Sequence, residues 1–309
     1  MDSLKLYLQD CYIDAPQHLW DSTGLAKIAN HRMSSNALGL RSSLLHGDAN
    51  ILIAKWFIES IFDFESCKEK DPGYANVCDA VKKSLREIFP RHPADERNDY
   101  AQLLAKKIYA GIRSRLNNRR KANSLSFRQE IIDNIDSPPR CYLCGYKFDE
   151  DAVNCFLDIK QYNKPPLSFV DYLKPHGLSS RDFRLELDHV FPFSLGGGND
   201  DNLKIACGWC NKHKSNKIVL YEANCSPKVF NHPQRGRTSC PQPLWVIRAI
   251  SAKQKCEHID GCKNRIENSQ LTVTPLNPEG GMLPSNLKVI CYEHDPIKDY
   301  RMVPATAFR

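Results

Sequence analysis

No stretch of the 309-residue chain approaches the roughly 18 consecutive apolar residues that a membrane-spanning helix needs, so insertion in a membrane is not expected. An apolar h-region is missing as well: residues 1–20 mix Asp, Lys, Gln and Pro among their hydrophobic side chains, which places the expected localisation in the cytoplasm. Low-complexity tracts are absent. The charge excess is small for the length, +7 with a pI of about 8.7, and leans towards polyanionic partners without requiring one. A chain of 309 residues accommodates one large domain or two to three small ones that pack together.

Cysteine, by contrast, is plentiful. Thirteen are many for a reducing compartment, where thiolates are retained mainly for metals or catalysis. Their spacing is informative: Cys141 and Cys144 form one CxxC pair, Cys207 and Cys210 a second, Cys256 and Cys262 a looser pair, and Cys291 precedes His294 by three positions. Two CxxC pairs supply the four thiolates of a closed tetrahedral structural zinc site, with no position open to substrate. A redox dithiol needs only one pair, in a βαβ setting that is not evident here. Cys11, Cys67, Cys78, Cys155, Cys225 and Cys240 stand apart and read as ordinary small side chains.

Helical periodicity dominates the first third. Residues 50–62, NILIAKWFIESIF, are apolar nearly all round, the pattern of a buried helix capped by Asp48 or Asn50. Val81, Leu85, Ile88 and Phe89 recur at helical spacing and stop at Pro90. Over 95–121, Tyr100, Leu103, Leu104, Ile108, Ile112 and Leu116 line one side of a long helix while Lys106, Arg113 and Arg120 share another, suited either to a phosphate backbone or to plain solvent. A short helix over 127–135 ends at Ser137-Pro138-Pro139, so a boundary falls just before Cys141. Between Cys144 and Leu187 the chain lacks clean periodicity and reads as loop and strand. Residues 226–243, with Pro227, Pro233, Gly236, Pro241 and Pro243, read as a linker.

Between the CxxC pairs stands LELDHVFPFSLGGGNDDNLK, residues 185–204, and Cys210 is followed by Asn-Lys-His-Lys. Hydrolysing a phosphodiester needs a deprotonated water, a cation on the phosphate oxygens and fixed geometry. His189 is the side chain best suited to take a proton from water at neutral pH, and Asp188 offers a hard oxygen to Mg²⁺. In a regular strand the two point to opposite faces, so they serve one site only where the strand ends or bends, as Pro192 nearby allows. The glycines at 196–198 permit a tight connection. Lys204, Lys212, Lys214 and Lys217 surround these segments and suit a duplex backbone or a solvated rim equally. Trp209 inside the second CxxC reads as packing.

The order CxxC, DHxxPxSxGG, NL, CxxCN over residues 141–215 resembles the HNH, or ββα-metal, endonucleases. The resemblance implies a zinc-braced nuclease module in which His189 is the general base, Asp188 and Asn211 hold a catalytic Mg²⁺ or Mn²⁺, and the Asn202 amide ties the loop and orients His189. It implies products with a 5′-phosphate and a 3′-hydroxyl. His213 rivals Asn211, but residues two apart on a helix do not share a face, which leaves His213 to phosphate or solvent.

A degenerate second copy follows. A shift of 84 positions superimposes Gly196, Gly197, Asn202, Leu203, Lys204, Cys207 and Cys210 on Gly280, Gly281, Asn286, Leu287, Lys288, Cys291 and His294. Cys256 and Cys262 take the part of the first CxxC, with five intervening residues instead of two and His258 as a possible substitute ligand. The same shift sets Thr272, Val273 and Asp295 against Asp188, His189 and Asn211, so the copy is expected to be inert and to hold a second structural zinc through Cys256, Cys262, Cys291 and His294. Chance similarity around free thiols is the competing account.

The expected fold is α+β: a mainly helical region over 1–125, a central zinc-braced HNH module over 126–225, and a linker with the degenerate knuckle repeat over 226–309. The expected function is a metal-dependent endonuclease on DNA, nicking or cutting both strands, in a setting such as restriction or phage defence, with one or two structural Zn²⁺. Lys106, Arg113, Arg120, Lys204, Lys212, His213 and Lys214 are the candidate nucleic-acid contacts. The alternatives are a non-catalytic zinc module that binds nucleic acid or partner proteins, and a nuclease directed at RNA.

Overall fold

The computed structural model describes residues 2–63, 67, 71–116, 124–135, 138–191 and 202–308. Arg120, Pro192 and the glycines at 196–198 lie outside the described residues. The chain divides into two compact units, Met1–Gly47 and Asp48–Arg309.

The first unit contains the short helices α1 (Asp2–Leu8), α2 (Ala15–His18), α3 (Ser22–Ala29) and α4 (Ser35–Leu38). Asp21 caps α3 by accepting the Gly24 N–H at 2.7 Å. Gly24 is required there, since a Cβ would lie 2.5 Å from the Cα of His18. Asp10 gathers Lys27 and His31, each at 2.8 Å.

Helix α5 (Ser42–Ile61) runs from the first unit into the second. Its buried anchor is Asp48, which accepts the Leu220 N–H at 2.8 Å and two Arg248 N–H groups at 2.6 and 3.1 Å, while Lys55 pairs with Glu222 at 3.0 Å. The apolar run leads to a different expectation, a helix buried all round, and the structure overturns it: Ile51, Ile53, Trp56 and Phe57 are exposed. Ion pairs hold the middle of α5, and its last turn enters apolar packing.

That packing is the core shared by α6 (Tyr74–Ile88) and α7 (Ala94–Leu116). Val77, Cys78, Val81 and Leu85 meet Ala101, Ala105, Ile108 and Ile112, with Ile58 and Ile61 closing one end. The buried stripe of α7 is rotated from the expected one: Tyr100 and Leu103 are 65% and 57% exposed, because the small Ala101 and Ala105 let α6 approach on their side. Lys106 and Arg113 are exposed, and Arg113 reaches Asp71 at 3.3 Å. Helix α8 (Leu125–Asp133), capped by Ser124 at 3.2 Å, sends Arg128 to the Phe156 carbonyl at 2.6 Å on α9 (Glu150–Phe156).

The rest of the second unit carries four two-stranded antiparallel sheets: β1 (Phe169–Asp171) with β8 (Met302–Pro304), β2 (Leu185–His189) with β3 (Leu203–Cys207), β4 (Lys228–His232) with β5 (Gly236–Cys240), and β6 (Leu271–Pro275) with β7 (Leu287–Cys291). Helix α10 (Gly208–Lys214) follows β3, α11 (Pro243–Lys253) precedes β6, and the short α12 (Lys298–Arg301) precedes β8. The composition is therefore mixed helix and small antiparallel sheet. The supposed linker over 226–243 is the β4–β5 hairpin: Pro233 and Gly236, with φ of +68°, form its turn, and Phe230 packs between Tyr172 and Phe308 at ring distances of 5.5 and 5.1 Å.

The insert between Cys144 and Leu187 ties the two halves of this region. Its β1 pairs with β8, and Asp171 accepts both Arg301 Nη1 contacts at 2.9 and 2.8 Å. Arg301 also binds Asp295 and gives Nη2 to the Val273 carbonyl at 2.8 Å, at 1% exposure. Removing one partner of such a buried cluster strands the other charges. Arg301→Met is therefore expected to cost about 3–5 kcal/mol, a fall of roughly 10 °C in melting temperature for a chain of this size. An unchanged melting curve would refute this role.

Candidate functional site

Two clusters have the donor chemistry of zinc. The ligand atoms of Cys141, Cys144, Cys207 and Cys210 lie within 4.8 Å of one another, and so do those of Cys256, Cys262, Cys291 and His294. Zinc–sulfur bonds of about 2.3 Å place tetrahedral sulfurs about 3.8 Å apart. Cys144 and Cys207 stand 3.9 Å apart, as do Cys262 and Cys291, and His294 Nδ1 lies 3.9 Å from Cys256 Sγ and 3.3 Å from Cys291 Sγ. Both sets therefore fit the ion.

The cysteines of each cluster are pushed apart in their readiness to ionise. In the first cluster, hydrogen bonds from Cys141, Cys207 and Cys210 hold the Cys144 thiol well below its ordinary value, while burial pushes Cys207 and Cys210 well above theirs. Four such thiols cannot all ionise together unless a metal neutralises them. Lys174, fully buried, stays charged despite its burial because Cys144 and neighbouring groups raise it, and its Nζ donates to the Leu271 carbonyl at 3.0 Å. In the second cluster burial lifts Cys256 to about 11. Burial also opposes ionisation of Cys291, but hydrogen bonds led by Asn264 bring it down to about 7.

The two clusters sit in matching backbone frames. Leu185 faces Cys207 across the first ribbon, and Leu271 faces Cys291 across the second. Each first knuckle residue is followed by one that donates to the third residue of the next ribbon strand: Tyr142 to Ile205 at 3.1 Å, Glu257 to Val289 at 2.9 Å. Asn202 brackets Phe191, accepting its N–H at 2.8 Å and donating to its carbonyl at 2.6 Å; Asn286 does the same to Asn277, at 2.7 and 2.9 Å. The registers show that the constant shift of 84 needs a correction in the first strand. The connection from 277 to 286 is two residues shorter than that from 191 to 202, so Asp188 and His189 match Thr274 and Pro275, not Thr272 and Val273. The second knuckle is three residues longer, closing at Lys255 and Arg265 where the first closes at Arg140 and Lys147.

In the first frame, strand alternation puts Glu186 and Asp188 on one side of β2, and both meet α10. Asp188 is buried and accepts from Lys214 Nζ at 3.0 and 2.9 Å and from the Tyr142 hydroxyl at 2.6 Å. Lys214 Nζ also donates to the His189 carbonyl at 2.7 Å. Glu186 accepts a paired contact from Arg181, at 2.8 and 3.1 Å, and the Asn211 Nδ2 at 2.7 Å. A carboxylate only accepts, so this bond fixes the amide and turns Asn211 Oδ1 away from Glu186. Gly208 starts α10 where a Cβ would lie 2.0 Å from the Arg181 carbonyl, so the helix begins flush against the preceding turn. His189 is half-buried at the end of β2, opposite Leu203.

Magnesium fits this donor set poorly as it stands. Glu186 carries Arg181 and Asp188 carries Lys214, so neither carboxylate offers the uncompensated charge that draws a divalent ion. The expected ligand pair, Asp188 and Asn211, contacts a lysine and a glutamate instead. Lys214 is likewise corrected as a nucleic-acid contact: it is buried and serves Asp188 and the β2 backbone. His213 packs 5.1 Å from Trp209, and burial, aided by Lys212, draws its ring down to about 4, so near pH 7 it is neutral and is no cation for phosphate. Lys204 and Lys212 remain exposed. Tyr142, Arg181, Lys174 and Glu186 were not singled out by the motif; only Glu186, two positions from Asp188 in a strand, had a readable signal.

Compared with models of known families, with curated proteins and with solved structures, the chain matches none. Metal analysis of the purified chain is expected to find two zinc ions, with Cys262→Ser losing one and retaining the other. A single ion that disappears entirely in Cys207→Ser would discard the second site.

Proposed function

We propose that β2, β3 and α10 form the hydrolytic module of a DNA endonuclease of the HNH kind. The observation that carries this reading is the contrast between the two frames: the same ribbon, the same bracketing asparagine and the same four-donor corner hold Asp188 and His189 in one copy and Thr274 and Pro275 in the other. A purely structural knuckle needs neither an imidazole nor a carboxylate at that register, as the second copy illustrates.

In this proposal His189 accepts the proton of the attacking water. Lys214 positions it by gripping both the Asp188 carboxylate and the His189 carbonyl, so that the end of β2 is fixed to α10. Glu186 positions Asn211 with its carbonyl oxygen available to the substrate side. Lys204 and Lys212 are the exposed cations beside the module. The divalent ion implied by the resemblance would have to displace Lys214 from Asp188, and no step is assigned to it.

One observation favours a non-catalytic nucleic-acid-binding module instead, namely the closure of Asp188 by Lys214 and Tyr142. Plasmid DNA incubated with the chain in Mg²⁺, in Mn²⁺ and in chelator separates the readings. The native chain is expected to nick or linearise the plasmid, and His189→Ala to lose at least about 100-fold of the rate; equal conversion by both would favour the binding module. Single-stranded RNA in the same assay tests the substrate class. Glu186→Gln, which no longer fixes the Asn211 amide, is expected to cut about 10- to 100-fold more slowly with its zinc content unchanged.

A further inference from the structure

The β4–β5 hairpin has one face committed to the protein and one face free. On the inner face Phe230 stacks on Tyr172 and Phe308, and His232 Nε2 donates to the Tyr300 carbonyl at 2.8 Å. His232 Nδ1 accepts the N–H groups of Gln234 and Arg235 at 3.1 and 3.2 Å, which leaves Nε2 as the protonated nitrogen and pins the turn. The ribbon is therefore held rigidly at its root and at its turn.

Its outer face carries Val229 and Asn231 on β4 and Arg237 and Ser239 on β5, with Val229 opposite Ser239 and Asn231 opposite Arg237. Val229, Asn231 and Arg237 are exposed, as are Gln234 and Arg235 at the tip. Arg237 has no partner among the described residues. Lys228 lies on the other side, opposite the buried Cys240, and Arg235 at the tip stands 3.9 Å from Glu279 and over the Tyr300 ring, so Arg237 is the cation of the outer face, and from Ser226 to Gln242 the sequence holds no aspartate or glutamate. The outer face therefore presents one unpaired positive charge and no negative one, with an asparagine directly opposite it. Arginine pairs bidentately with guanine O6 and N7, asparagine with adenine N6 and N7, and a two-stranded ribbon fits the roughly 12 Å wide major groove.

We infer that the β4–β5 hairpin is a sequence-reading ribbon for the major groove of duplex DNA, with Asn231 and Arg237 presented to adjacent base edges. Directly opposed residues lie about 5 Å apart, a spacing that covers one to two base steps of about 3.4 Å each. The inference rests on the reading of duplex DNA as substrate, and its test does not depend on cleavage.

A His189→Ala chain, incubated with a pool of random duplexes and its bound fraction sequenced, is expected to enrich a site with at least one fixed guanine. On that site Arg237→Ala is expected to bind about 5- to 150-fold more weakly and to lose the guanine preference. Arg237→Lys keeps the charge and so the binding to unselected DNA, but loses the same preference, which separates base reading from phosphate contact. Asn231→Ala is expected to relax an adenine position. Zinc content equal to the parent chain certifies that each variant is folded. No enrichment by the His189→Ala chain, or an unchanged site and affinity in Arg237→Ala, overturns the inference, as does capture of the ribbon by a protein strand with no DNA bound. If the native chain binds a selected site and never cuts, the nuclease reading falls and this one stands; if Arg237→Ala cuts with unaltered preference, the reverse holds.

Discussion

A two-stranded ribbon alone in water is marginal. Every sheet among the described residues has two strands, so the position of a helix that follows such a ribbon must be fixed by something other than the ladder. At β3 and α10 the fixing element is the corner where Cys207 and Cys210 meet Cys141 and Cys144. It joins a knuckle to a helix start with one covalently demanding geometry, and the surroundings conform to it. Gly208 lets α10 begin against the Arg181 carbonyl, Gly145 takes a positive φ where a Cβ would lie 2.1 Å from the Ser269 carbonyl, and Lys174 supplies buried positive charge. The contact of Glu186 with Asn211 and of Asp188 with Lys214 exists only because α10 starts at that point and in that direction.

The features that the sequence made legible are those carried by spacing. Cysteine pairs at metal-ligand intervals, the NLK segment after each glycine-rich connection and the short strands around Asp188 are local patterns, and they reappear as clusters and ribbons. What escaped depends on partners distant in sequence. The apolar run 50–62 gave no hint that Asp48 would bind Arg248, 200 positions away, or that Trp56 would be left exposed. The hairpin over 228–240 hid behind prolines, and its alternation was masked because its packed face carries Phe230, His232 and Cys240 instead of aliphatic side chains. The Tyr142 hydroxyl on Asp188 has no local signature at all, since the middle residues of a CxxC are otherwise free to vary.

Two matching frames within one chain supply an internal control on which parts of the frame are structural. Asn202 and Asn286 make the same two bonds, which assigns that amide to holding the ribbon's end in both copies, whatever chemistry follows. The copies part company at the helix. Where the first has Asn211 near Glu186, the second has Asp295 buried under Arg301, with Asp171 on the same guanidinium. The equivalent of a candidate site position has become a strut between β6 and the β1–β8 pair.

The ion pairs around β2 also bear on how a phosphodiester could approach His189. Two carboxylates on one side of a short strand would repel an incoming phosphate: unit charges about 4 Å apart interact by roughly 4 kcal/mol at an effective dielectric constant near 20. Arg181 on Glu186 and Lys214 on Asp188 cancel that repulsion before substrate arrives. Lys204 and Lys212 are exposed beside these paired carboxylates. A surface that must admit a polyanion past two acidic residues needs such cancellation whether or not a divalent ion later joins it. On the proposed function, the buried Lys214 would bear on binding at this module as the histidine would on its chemistry.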